Sequence, residues 1–221
     1  MKISILSDLH LDFWVKPTSH KRERLFKVLD LALDRSSDIE VLIVAGDISH
    51  YPSQLKLLEE ISQKYNYKKV FCVLGNHELY LVSNEQTDTY KTSAGKQQAY
   101  YSYKSDVIKM LDGAIVEYKG IKFGGCMSWY DASYKGLPSY SREDPVLMWK
   151  RTMNDANYIK GYKDFYSIWA EEKPKIEAIL EADIVITHVC PSIELDAFVS
   201  QYRYESTNMF FSFNGDVRIA F

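Results

Sequence analysis

Short apolar runs, each closing on a polar residue, alternate through the first half of the chain with stretches whose apolar positions recur at helical spacing. Lys2 to Ser7 predicts a first strand. Glu40 to Ala45 (EVLIVA) predicts a second, apolar without alternation as a strand covered on both faces would be. Between them residues 21–35 predict a helix with Leu25, Val28, Leu29 and Ala32 on one face. Ser53 is placed to cap a helix over 54–65, where Leu55, Leu58 and Ile61 recur, and 69–74 (KVFCVL) follows as a third strand. Such alternation predicts βαβ units and a mainly parallel sheet.

The pattern weakens beyond residue 84. A polar, tyrosine-rich segment over 84–112 predicts a loop leading to a helix at 97–111. Ile115 to Tyr118 and Ile121 to Phe123 predict a hairpin around Lys119-Gly120. Helices are predicted at 145–158 and 165–181, a short strand at Asp183 to Thr187, and a final hairpin over 210–221 turning at Asn214-Gly215.

Composition adds bounds to this outline. The 221 residues, 46% of them hydrophobic, suffice for one large α/β domain, and no Gly- or Pro-rich linker divides them. The expectation is a single domain over 1–221 with an aromatic and basic insertion at about 84–163. A net charge of −3 argues against attachment to DNA or an anionic membrane by bulk charge. The opening MKISILSDLH is too short for a signal-peptide core and no run approaches 18 apolar residues, so a soluble, cytoplasmic protein is expected. Oligomeric state is not legible. Cys72, Cys126 and Cys190 are too few and too widely spaced for a disulfide framework or zinc clip; Cys72 reads as core, and Cys190 as an inert thiol or a soft ligand.

The strand ends carry the chemistry. ISILSDLH ends in Asp8 and His10, VLIVAGD in Asp47, VFCVLGNHE in Asn76, His77 and Glu78, and DIVITH in His188. Any one of these is an ordinary loop residue. Four strands that each stop at a metal-binding side chain, where parallel sheets bind their ligands, point to a metal site. Carboxylate, imidazole and amide donors suit manganese first, with iron, zinc or nickel as alternatives. One carboxylate can bridge two ions roughly 3.5–4 Å apart, a pair able to bind phosphate oxygens and activate water for in-line attack.

Asp8-Leu9-His10, Gly46-Asp47, Gly75-Asn76-His77-Glu78 and His188 with Pro191 resemble, in order and spacing, the blocks of the calcineurin-like metallophosphoesterase family, in its prokaryotic or phage form. The resemblance implies an α/β fold: a four-layer α/β/β/α sandwich of two mixed sheets with flanking helices. It implies two divalent or trivalent ions, one held by Asp8, His10 and Asp47 and the other by Asp47, Asn76 and His188. It makes His77 a catalytic imidazole outside the ligand set. The implied activity is metal-dependent hydrolysis of phosphate esters.

The family's C-terminal GHxH block is absent from this sequence, whose last histidine is His188. The expectation is a chain shortened relative to a longer parent; the alternative is an impaired member kept as a binding scaffold. His50, three residues after Asp47, is a candidate for substrate or second-sphere contact. Glu78 is a candidate to orient its neighbours, Asp12 to orient the loop, and His20 is read as solvated. WKRTMNDANYI (149–159) resembles a stretch of some prokaryotic and phage members, which makes Asn154 and Asp155 candidates, with a helix cap or core-edge hydrogen bond as the alternative.

Residues 91–163 hold twelve Lys or Arg against seven Asp or Glu and many aromatics, among them Tyr100, Tyr101, Tyr103, Trp129, Tyr130, Tyr134, Tyr140 and Trp149. Either they cover the metals and receive a nucleotide or nucleic-acid end by stacking, or they pack and solvate the insertion. The first reading slightly favours phosphodiesters over monoesters as substrate.

Overall fold

The computed structural model describes residues 1–14, 19–33, 39–132 and 144–190, which belong to two units, 1–111 and 112 onward. In the first unit β1 (Lys2–Leu6), β2 (Ile39–Ala45), β3 (Lys69–Val73) and β4 (Ile108–Met110) lie side by side in chain order, every pair parallel. The connections carry α1 (Leu11–Trp14), α2 (Ser19–Ala32), a 3-10 turn over Pro52–Gln54 running into α3 (Leu55–Lys64), α4 (Asn76–Leu79), α5 (Asn84–Tyr90) and α6 (Ser93–Tyr101).

An unreversed strand order joined by right-handed crossovers puts the connecting helices on one face. The core has that composition: Leu42, Val44, Val70 and Cys72 from one side of the sheet cluster with Leu25 and Leu29 of α2, Leu55, Leu58 and Ile61 of α3, and Tyr100 of α6. Each such aliphatic side chain contributes about 1.5–3 kcal/mol by leaving water. Val41, Ile43, Phe71 and Val73, which alternate with them, are buried too, so beyond Glu40 and Lys69 the central strands are apolar on both faces.

Three elements of the first unit differ from the periodicity reading. The buried stripe of the second helix is Leu25, Leu29 and Leu33, an i, i+4 row, while Val28 is 48% exposed. The helix expected at 97–111 ends at Tyr101, because Ile108–Met110 gives its backbone hydrogen bonds to β3, with Val70 opposite Ile108. The segment expected as loop from 84 is helical, started by Ser83, whose hydroxyl accepts from Gln86 N–H at 3.2 Å.

In the second unit β5 (Ala114–Tyr118) and β6 (Ile121–Gly125) form the expected hairpin. Lys119 (φ 52°) and Gly120 (φ 79°) are both left-handed, as a two-residue connection that follows the strand twist requires. β7 (Ile184–Ile186) joins β6 in parallel, so this sheet is mixed. The helix expected over 145–158 is two, α7 (Pro145–Thr152) and α8 (Asn154–Tyr158), split where Met153 is extended (φ −96°, ψ 133°). α9 (Phe165–Ala178) starts at Asp164, whose carboxylate accepts from Ser167 N–H at 3.1 Å. The fold is mixed α/β with two sheets flanked by helices, as expected. The hairpin expected at 210–221, along with Tyr134, Tyr140 and Pro191, lies outside the described residues.

Candidate metal centre

The polar residues that end β1, β2 and β3 are joined before any side chain is considered. Beyond the sheet, Asp8 N–H donates to Gly46 O at 3.1 Å, His10 N–H to Asp47 O at 2.9 Å and Leu11 N–H to Ile48 O at 2.8 Å, which ties the first loop to the second. Asp8 (φ 55°), His10 (φ 42°) and Asp47 (φ 52°) are all left-handed although none is glycine. Each such residue costs about 1–2 kcal/mol, and strain of this kind collects at functional sites.

Glu78 joins the second loop to the third. It is fully buried, and its carboxylate accepts N–H groups from Gly75 at 2.6 Å, Ser49 at 2.8 Å and Asp47 at 3.1 Å. His77 N–H in turn donates to Asp47 Oδ1 at 3.0 Å. A Cβ on Gly75 would stand 2.2 Å from Asp47 Oδ1, so glycine is required here by close approach.

Around Asp47 the imidazoles gather. His10 Nε2 is 3.7 Å and His77 Nε2 3.8 Å from Asp47 Oδ2, beyond hydrogen-bonding range. Donor atoms of His10, Asp47 and His77 all lie within 4.8 Å of one another, and a carboxylate oxygen of Asp8 stands within the same distance of Asp47. Ligand atoms about 2.0–2.2 Å from one ion stand ~3–4 Å apart, so the 3.7 Å between His10 and Asp47 fits a shared ion better than a hydrogen bond. Buried Nδ1 of His10 has no hydrogen-bond partner among the described residues.

His50 completes the imidazole row, its Nε2 3.2 Å from His77 Nδ1. Its backbone is pinned: Asp12 Oδ1 accepts from its N–H at 3.1 Å and Gln86 Nε2 donates to its carbonyl at 2.8 Å. Burial lowers the His50 pKa, partly opposed by the Asp12 carboxylate, so the ring is neutral at neutral pH and offers one donor and one acceptor. Beneath lies Lys96, fully buried, its ammonium donating to Tyr80 O; burial lowers its pKa to about 8 against the pull of Glu78 and Asp12.

A family model described as calcineurin-like phosphoesterase matches residues 1–219. The chain belongs to that family. Its members are phosphoester hydrolases that typically bind divalent metals. No curated protein matches the chain.

The other candidates lie in the second unit. His188 follows β7, and its N–H and that of Val189 both donate to Met127 O at 3.2 Å. Buried Asp155 accepts from Tyr130 O–H at 2.5 Å, and that hydroxyl accepts from Trp149 Nε1 at 2.7 Å. Asn154 is exposed at the start of α8, and Cys190 is half-buried.

Several aromatics of the basic segment pack inward, while Tyr158 is exposed. Tyr100, Trp129, Tyr130 and Trp149 are buried, and the Tyr103 hydroxyl donates to Glu59 at 2.9 Å. Three partners of the site loops escaped the sequence reading: Tyr80, Gln86 and Lys96. Asn76 with Tyr80 is an i, i+4 pair, and Ser83 with Gln86 has N-terminal capping spacing, so both had a signal. Lys96 had none, because a buried lysine is written like a solvated one.

Proposed function

We propose that this chain hydrolyses phosphate esters at a dinuclear centre in which Asp8, His10 and Asp47 hold one ion and Asp47, Asn76 and His188 the other. The observation that carries the reading is the convergence of His10 and His77 on one oxygen of buried Asp47, on loops tied together by backbone hydrogen bonds and Glu78. Ions bound there would supply charge for the phosphate oxygens and acidify water. Asp47 is shared between the ligand sets. His77 donates a proton toward the leaving oxygen from Nε2, while its Nδ1 is oriented by neutral His50.

Manganese is the first metal to test, then iron, zinc and nickel. Diesters of nucleotides or nucleic acid are the substrate class to try before monoesters, supported by the positive excess of residues 91–163. Among the described aromatics Tyr100, Trp129, Tyr130 and Trp149 are buried and Tyr158 is exposed, so Tyr158 is the first to test for stacking. The test is hydrolysis of bis-p-nitrophenyl phosphate with Mn²⁺, expected in the parent protein and lost in Asp47→Ala and His77→Ala. Protein that binds two metals yet cleaves no mono- or diester would replace the enzyme reading with a scaffold.

A further inference from the structure

Tyr80 lies behind both Asn76 and His77 and touches each. It is only 4% exposed. Its hydroxyl accepts a hydrogen bond from Asn76 Nδ2 at 2.9 Å. Its ring stacks on His77, centroids 4.7 Å apart at 28°, and faces His50 at 5.9 Å and 25°. The backbone of Tyr80 is fixed on both sides: its N–H donates to His77 O at 3.2 Å and its carbonyl accepts the buried ammonium of Lys96. A residue held this firmly can impose an orientation on a softer neighbour.

The Asn76 side chain has such a choice to make. An amide ends in one acceptor oxygen and one donor NH₂, and only the oxygen can coordinate a cation. Turned the wrong way, the amide would present hydrogens to the ion. In the orientation that the tyrosine hydroxyl holds, Nδ2 is engaged and Oδ1 is the amide atom offered as ligand. We propose that Tyr80 is a positioning residue that sets the amide of Asn76 for metal coordination, with its stacked ring holding the hydroxyl in place. This rests on the reading of Asn76 as a ligand.

Calorimetric titration of the full chain with Mn²⁺ tests it, read as affinity and stoichiometry. Tyr80→Phe keeps the ring and removes the hydroxyl. It should weaken one of two sites by about 10–100-fold, the usual effect of losing a partner that orients a ligand, while the other site is unchanged. In an Asn76→Asp background most of that factor should vanish, because either carboxylate oxygen can coordinate. Unchanged affinity in Tyr80→Phe, or an equal penalty with Asn or Asp at position 76, overturns the role given to Tyr80. Asn76→Ala separates the two claims: if it binds Mn²⁺ like the parent, Asn76 is no ligand and the proposal falls with that reading. If it binds weakly while Tyr80→Phe binds normally, only the positioning role fails.

Discussion

Glu78→Gln is close to isosteric, yet it should be one of the most destabilising single-atom changes in the first unit. In the parent, Oε2 accepts the N–H groups of Asp47 and Gly75 while Oε1 accepts that of Ser49. Glutamine can place its one oxygen at the Oε2 position, but its NH₂ then faces the Ser49 N–H, donor against donor. Losing a hydrogen bond to a charged acceptor costs about 1.5–3 kcal/mol, and leaving a buried donor unpaired about 1–3 more. The expected total is roughly 3–5 kcal/mol, a large part of a typical folding stability of about 5–15 kcal/mol. Removing the carboxylate also strips Lys96 of the stronger of the two carboxylate attractions, Glu78 and Asp12, that oppose its desolvation. Urea unfolding followed by tryptophan fluorescence should show a midpoint about 1–2 M lower, for an m of about 2–3 kcal/mol/M. A loss below about 1 kcal/mol would refute the claim that Glu78 joins the two loops.

Gly75→Ala should abolish tight metal binding while leaving most helical structure by circular dichroism, since the new Cβ would stand 2.2 Å from Asp47 Oδ1; parent-like Mn²⁺ affinity would contradict this. His77→Ala should keep both metals and lose hydrolysis, whereas loss of a metal would make His77 a ligand, as its 3.8 Å distance from Asp47 also allows. Unfolded, Lys96 holds its proton to its ordinary value of 10.5, but folded it releases it near 8. Unfolding between those values therefore takes up a proton, and stability should rise by about 2 kcal/mol from pH 7 to 9.5, a rise absent from Lys96→Met in urea titrations.

The parts of this fold that could be read in advance are those where one physical requirement dominates. From Val41 in β2 and Val70 in β3 onward both faces are buried, so these positions are apolar, and the next polar side chains appear where each strand ends. Asp8, His10, Asp47, Asn76 and His188 stand out for that reason. Ile108–Met110 defeats periodicity because three residues are too few to show a period; only pairing with β3 makes them a strand. The geometry around Asp47 was also hidden. Left-handed backbone at Asp8 and His10 and the approach of Gly75 to Asp47 arise from how three loops meet, and no single segment carries that information. Tyr80 and Lys96 were overlooked because their residue types are usual at surfaces, whereas α6 and the turn after α4 bury them.

Mn²⁺ titration of parent and Asp47→Ala protein, followed by electron paramagnetic resonance, tests the central claim most directly. The parent should bind two ions close enough to couple magnetically, and Asp47→Ala should bind neither tightly, because the carboxylate belongs to both ligand sets. Parent-like binding of two ions by Asp47→Ala would contradict the account.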